Sequence, residues 1–200
     1  MIPTEYNGSL TREQFLFFET RIVASLLCEG LERKEISEKI KAENLFQFPT
    51  ERSISSITSV CFKRIDALDS ETLTYLLANA PLDVAKQINM YAMMKYNRIV
   101  WDFMVTVIGE KFRTQDFSFS RVDLNIFFSQ LQEQNDSIAS WSDSTIAKIK
   151  QVLTKSLVEC EYLDSAKSTV LNPVAIDPAL ECEIRAAGDS VILPAFNCFL

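Results

Sequence analysis

Ser144, Lys148, Gln151 and Lys155 recur at steps of four, three and four residues. That spacing gathers side chains on one face of an α-helix. The residue types then say what the face could do. Lysine ammonium groups pair with phosphate oxygens, and serine, threonine and glutamine hydrogen-bond to phosphates or base edges. Thr145, beside Ser144, offers the same chemistry at the start of the helix, where free backbone N–H groups also favour an anion. A second set, Arg52, Ser56, Ser59 and Lys63, repeats the steps of four, three and four. Both sets are candidate DNA-binding residues, and their chemistry is charge neutralisation and contact.

Other chemistries lack their residues. The chain has no histidine, which removes the commonest general base and the commonest metal ligand. Its 5 cysteines stand apart in sequence and are odd in number, which argues against a disulfide framework or a zinc knuckle. No glycine-rich phosphate loop occurs, and no carboxylate pair has a spacing suited to acid–base work. The expectation is a protein that is not an enzyme and has no cofactor, no bound metal and no catalytic residues. Phe15, Phe17 and Phe18, and Phe127 and Phe128, fall at helical spacings. They read as core side chains before they read as stacking platforms for single strands.

The elements that must position the two faces are helices. Glycine numbers 4 and proline 6 in 200 residues, too few for a sheet protein with many tight turns. Apolar residues make up 48% of the chain, enough to bury a core in one large domain or two small ones. Opposite the first face, Ile146, Ile149, Leu153 and Leu157 gather on the other side of the same helix. Ser142 or Asp143 stands where a cap is needed. Behind the second face, Ile54, Ile57, Cys61, Ile65 and Leu68 make an inward stripe on a helix over residues 50–68.

Further helices are expected over residues 11–29, where Ser9 or Thr11 caps the start and Gly30 marks the stop. Others are expected over "RKEISEKIKAENL", over "LDSETLTYLLAN", and over residues 81–112 as one long helix or a broken pair. "RTQDFSFSRVD" reads as a hinge, "SRVDLNIFFSQLQEQ" as a helix and "NDSIAS" as a loop. "YLDSAKSTVLNPVAIDP" is β-prone and reads as a two-stranded wing. "ALECEIRAAG" is a short closing helix, and "VILPAFNCFL" is expected to be extended. The fold class expected is all-α, with two helical subdomains at residues 1–113 and 114–200. The linker "AENLFQFPTER" is longer than the roughly 3–4-residue turn of a helix-turn-helix. The second subdomain is therefore the closer match to a helix-turn-helix or winged helix with a small β-wing.

The N-terminal "MIPTEYNGSL" lacks the basic start and apolar run of a signal peptide. The most apolar segment, "YAMMKYNRIVWDFMVTVIG", is interrupted by Lys95, Arg98 and Asp102. Charges there would cost about 3 kcal/mol each in a bilayer centre, so a buried amphipathic helix is expected in a cytoplasmic protein with no membrane partner. The net charge of −7 argues against a coat of phosphate-binding lysines and leaves room for a local basic face.

Several blocks, in order, resemble a known family. They are "FLFFETRIVASLLCEGLERKEISEKIKAENLFQFPTERSISSITSVCFKRIDAL", "WDFMVTVIGEKF" and "WSDSTIAKIKQVLTKSLVECEYLD". They are similar to the BrxA family of the BREX phage-defence system, and the resemblance spans residues 15–188. It implies an all-helical protein in two parts with some likeness to NusB-type antitermination proteins. It implies a place in an anti-phage system that marks host DNA by methylation, with double-stranded DNA and other BREX proteins, a methyltransferase and an ATPase, as partners. No site residue carries over by motif.

Three readings follow. The first is non-enzymatic binding of double-stranded DNA through helix faces, largely without sequence specificity. The second is a helical protein–protein adaptor within a BREX complex. The third is RNA binding by NusB likeness, which rests on fold analogy alone. Any amphipathic helix shows polar residues to water, so spacing by itself does not separate them. The carboxylate-free composition of the Ser144–Lys155 face, in an acidic chain, favours the first.

Overall fold

Side-chain oxygens placed ahead of apolar periodic runs start most of the helices. Thr50, Ser70, Asn97, Ser120, Asn135, Ser142 and Asp177 each accept a backbone N–H from the first turn that follows, satisfying donors with no partner inside the helix. Glu32 and Glu35 do the same reciprocally as a capping box. The computed structural model describes residues 4–199. Its helices are α1 (Phe17–Cys28), α2 (Arg33–Glu43), α3 (Glu51–Leu68), α4 (Glu71–Asn79), α5 (Leu82–Tyr96) and α6 (Arg98–Phe103). They continue with α7 (Glu110–Arg113), α8 (Arg121–Gln134), α9 (Asp136–Ala139), α10 (Asp143–Glu159) and α11 (Pro178–Ala186). A π-helical turn, Met104–Gly109, joins α6 to α7, and 3-10 turns cover Ser9–Thr11 and Ser190–Phe196. The protein is all-α.

The chain divides into two units. One is Phe15–Tyr96; among the described residues, the other joins residues 4–14 to residues 97–199. This division falls at the Asn97 cap, whereas the sequence places the boundary at residue 113. The Asn97 side chain accepts from Ile99 N and ends the run begun by α5, so residues 81–112 form a broken pair.

In the Phe15–Tyr96 unit, α1 packs on α3 and α4, and α3 packs on α5. Val23, Ile36, Ile40, Cys61, Leu77 and Ile88 are fully buried. The first helix starts at Phe17 and not at Thr11. The reason is a backbone reversal at Leu16, with φ 50°. The Phe15 carbonyl accepts from the buried Arg64 guanidinium at 2.7 Å and from Asn89 Nδ2 at 2.8 Å. Those two bonds hold the chain in the reversal that begins α1.

In the second unit, Phe103, Phe119, Phe127 and Phe128 form a chain of ring contacts. They bury α8 against the α6 segment. The 3-10 turn at Ser9–Thr11 packs on α10 with Leu10 buried. Three expectations are corrected here. "NDSIAS" is not all loop, because Asn135 caps the short helix α9. The β-prone stretch after Tyr162 makes no two-stranded wing of its own. It pairs with the segment before α8 instead, through one antiparallel bridge, Ser118 with Val170, and the bonds Phe119 N to Thr169 O and Leu171 N to Phe117 O. "VILPAF", the first part of "VILPAFNCFL", is not extended, and the last residue of that stretch lies outside the described residues. Residues through Phe196 form a 3-10 turn packed against the π-helical turn, with Ile192, Leu193, Ala195 and Phe196 buried. Burial of that apolar run outweighs its β-propensity.

Candidate nucleic-acid interface

Helix α10 is set by its cap and its core stripe. Ser142 Oγ accepts from Thr145 N at 3.3 Å and hydrogen-bonds to the Ser144 and Thr145 hydroxyls at 3.0 Å each. Ile146, Ile149, Val152, Leu153 and Leu157 are buried. Burying that stripe turns Ser144, Lys148, Gln151 and Lys155 outward together. All four line one groove of about 1160 Å³, so the structure brings together the whole face that the spacing predicts. Thr145 does not line it. Its methyl group lies 3.6 Å from where a Cβ on Gly8 would stand, so it faces the N-terminal segment.

Two other segments complete the groove: Phe119, Ser120, Arg121, Leu124 and Asn125 around the start of α8, and the turn from Ala166 to Thr169. They add Arg121 and Lys167, which the sequence reading missed, and Lys150 joins from α10. The lining thus carries five cationic side chains and no carboxylate among its sixteen residues. In a chain of net charge −7 this is a strong local reversal of sign, and it is the local field that steers an anion.

The five cations are not equivalent. Lys150 Nζ donates to Asn125 Oδ1 at 2.8 Å and lies 5.3 Å from the centre of the Phe128 ring. Burial holds its ammonium below the usual lysine range. Lys148 Nζ reaches Gln151 Oε1 at 3.3 Å on the same helix. Among the described residues, Arg121, Lys148, Lys155 and Lys167 have no carboxylate partner within ion-pairing distance.

A brace behind the groove fixes the start of α8. Lys111 Nζ sits 2.9 Å from both Asp116 and Asp123. Asp123 in turn accepts from Ser120 N at 2.7 Å, closing the capping box one residue before Arg121. Burial alone would raise the Asp123 carboxyl, but the bonds from Lys111 and Ser120 outweigh it and hold the group below its usual range. Both carboxylates are thereby directed at Lys111, and neither lines the groove.

The second predicted face belongs to the other unit. Arg52, Ser56, Ser59 and Lys63 are all exposed on α3, as their spacing requires. They line no part of the groove. Their surroundings are mixed in charge. Glu51 and Asp66 share that surface, paired with Lys41 and Arg33 respectively.

Fold and site together define an all-α protein that carries a cationic groove beside a capped amphipathic helix. Comparison with known proteins narrows this. The family model for BrxA matches residues 4–188, and the chain belongs to the BrxA family. It is 33% identical over 190 residues to the "BREX protein BrxA" of Bacillus cereus strain H3081.97, covering 94% of each chain. It is 24% identical to the "BREX protein BrxA" of Escherichia coli O9:H4 strain HS, over 93% of this chain and 87% of the relative. The crystal structure of an uncharacterised protein from Magnetospirillum magneticum superposes with a TM-score of 0.79, at 22% identity, over 96% of this chain and 97% of that one. That last likeness concerns the fold.

Proposed function

We propose that this chain is a non-enzymatic component of a BREX anti-phage system that binds double-stranded DNA, largely without sequence specificity, through the groove beside α10. The observation that carries the reading is the carboxylate-free lining with its five cations. Charge of that kind recognises phosphate wherever it occurs along a duplex, and phosphate contact positions without reading sequence. The relatives named for BREX supply the biological setting. The order α8, short α9 and capped α10 supports the helix-turn-helix likeness alone, since the stretch after Tyr162 forms no wing. Arg52 and Lys63 add backbone contacts from α3, with Ser56 and Ser59 beside them.

The test is a gel shift of the full chain on random duplex DNA at several salt concentrations. Lys148→Glu, Lys155→Glu places two repulsive charges in the groove, and binding is expected to fall by more than tenfold while the helical circular dichroism spectrum is unchanged. Full binding by that folded double variant sinks the assignment. The adaptor reading has its own supporting observation. Val122 and Ile126, one turn apart on the outer face of α8, are 60% and 52% exposed. It predicts no duplex binding even at low salt, together with co-purification with a BREX methyltransferase or ATPase. Structured RNA that displaces duplex DNA from the wild-type protein would favour the RNA-binding reading.

A further inference from the structure

The groove has cations on more than one wall. Lys148 and Lys155 come from α10, Arg121 from the start of α8 and Lys167 from the turn that the Ser118–Val170 bridge folds alongside. A strand lying in the groove meets positive charge from both sides. The fifth cation differs, because Lys150 is already committed to Asn125 on α8 and to the Phe128 ring. It ties the two walls to each other.

We propose that the groove is a two-walled clamp on one sugar–phosphate strand of a duplex. Lys148 and Lys155 on one wall and Arg121 and Lys167 on the other neutralise its phosphates, and Lys150 is a positioning residue that braces the walls. This rests on the duplex-binding reading above and adds which strand geometry and which residues carry it.

Spacing and lining both select that occupant. Lys148 and Lys155 are seven residues apart, or about 10 Å along the helix axis. At about 3.4 Å per nucleotide of one strand, that spans about three steps. Phe119, the aromatic residue in the lining, is only 4% exposed. The groove therefore offers bases no open ring to stack on, which a single-strand track requires.

The number of phosphates neutralised is read from the slope of log affinity against log salt, at about 0.9 per cation on duplex DNA. Fluorescence anisotropy of the full chain with a labelled random-sequence duplex measures it. Arg121→Gln and Lys167→Gln are each expected to flatten the slope by about 0.9, as are Lys148→Gln and Lys155→Gln. Both added positions are exposed, so folding is not at stake. Lys150→Gln is expected to weaken binding several-fold with the slope unchanged, because a brace contributes geometry and not counterion release. If Arg121→Gln and Lys167→Gln keep the wild-type slope while Lys148→Gln flattens it, the clamp is overturned and the duplex reading stands on α10 alone. A flattened slope in Lys150→Gln overturns the brace. Single-stranded DNA of the same sequence outcompeting the duplex overturns the occupant. No duplex binding by the wild type at low salt removes both the clamp and the reading beneath it.

Discussion

The Tyr6 hydroxyl donates to the Asp102 carboxylate at 2.6 Å, joining positions 96 residues apart. Arg98 Nε donates to the same oxygen at 2.8 Å. Around them Asn97 Nδ2 lies 3.4 Å from both Asn7 Oδ1 and Ser9 Oγ. The segment ahead of Gln14 is thus fastened to α6 and packs on α10, within the unit that carries the groove. A hydrogen bond to a charged acceptor contributes about 1.5–3 kcal/mol, and partial exposure puts this one somewhat below that range. Tyr6→Phe is expected to lower stability by about 1 kcal/mol and the melting temperature by about 2–4 °C, measured by thermal unfolding. A melting temperature equal to the wild type would show that the segment contributes nothing through this bond.

The Lys111 brace gives a prediction with a pH signature. Its Nζ serves Asp116 and Asp123 at 2.9 Å each, with only 12% of the lysine side chain exposed. Both carboxyls are held low. For Asp116 the Ser118 hydroxyl bond comes first and Lys111 second. For Asp123 the bonds prevail over burial. Folded values below unfolded ones stabilise the protein above the unfolded value of about 3.9. That stability is lost as pH falls through the lower folded values. Lys111→Met is therefore expected to cost about 1 kcal/mol near neutrality, a difference that narrows as the solution is acidified below about pH 3. Urea unfolding of both proteins at the two pH values decides it. An equal gap at both would mean the loss is packing and not charge.

The sequence held one wall of the groove and not the other, for a physical reason. The α10 face and its core stripe are functions of a 3.6-residue period, which is local and legible. So was the exposed α3 face, and so was the cap at Ser142. Arg121 and Lys167 carry no local signal. They reach the groove because residues 117–119 pair with residues 169–171, a contact between segments about fifty residues apart that no periodicity encodes. The same contact explains the wing, since β-prone residues found a partner before α8 and not in each other. The C-terminal 3-10 turn departs from the extended run that its residues predict, because valine, isoleucine and phenylalanine favour strands only where a neighbouring strand exists. There the π-helical turn offers an apolar surface.

Cys61 is completely buried, with the Thr20 hydroxyl 3.7 Å from its sulfur. Burial pushes its thiol up to about 12. An unfolded thiol titrates near about 8.5. A raised folded value gives stability that is fully present below that pH and is lost as pH rises through about 12. Tyr162, wholly buried, is raised in the same direction by burial and then by Cys160. Stability should therefore fall steadily above about pH 9. Cys61→Ala is less stable near neutrality, where it leaves a small cavity, and loses less on going alkaline. Thiol labelling supplies an independent check. Cys28 and Cys182 are exposed and should react at once, while Cys61 should react only at the rate of unfolding. Rapid labelling of Cys61 in the native protein would contradict its burial.

Gly109 and Gly8 make a matched pair of substitutions. At Gly109, the last residue of the π-helical turn, an added Cβ would meet Ala195 N at 3.2 Å, Met104 O at 3.3 Å and Pro194 Cβ at 3.5 Å. Two of those atoms belong to the backbone, which cannot swing aside as a flexible side chain would. The glycine is there because the C-terminal 3-10 turn packs directly on this one, and its backbone angles are ordinary for a helix. Gly109→Ala is expected to destabilise the protein by about 1–3 kcal/mol through overpacking, even though alanine is the better helix former. At Gly8 the added Cβ would lie 3.6 Å from Thr145 Cγ2, an ordinary contact, and the φ of −84° suits any residue. Gly8→Ala should therefore be within about 0.5 kcal/mol of the wild type. Chemical denaturation of the two variants side by side measures the contrast. Equal stability would mean that the C-terminal turn is not seated on Gly109.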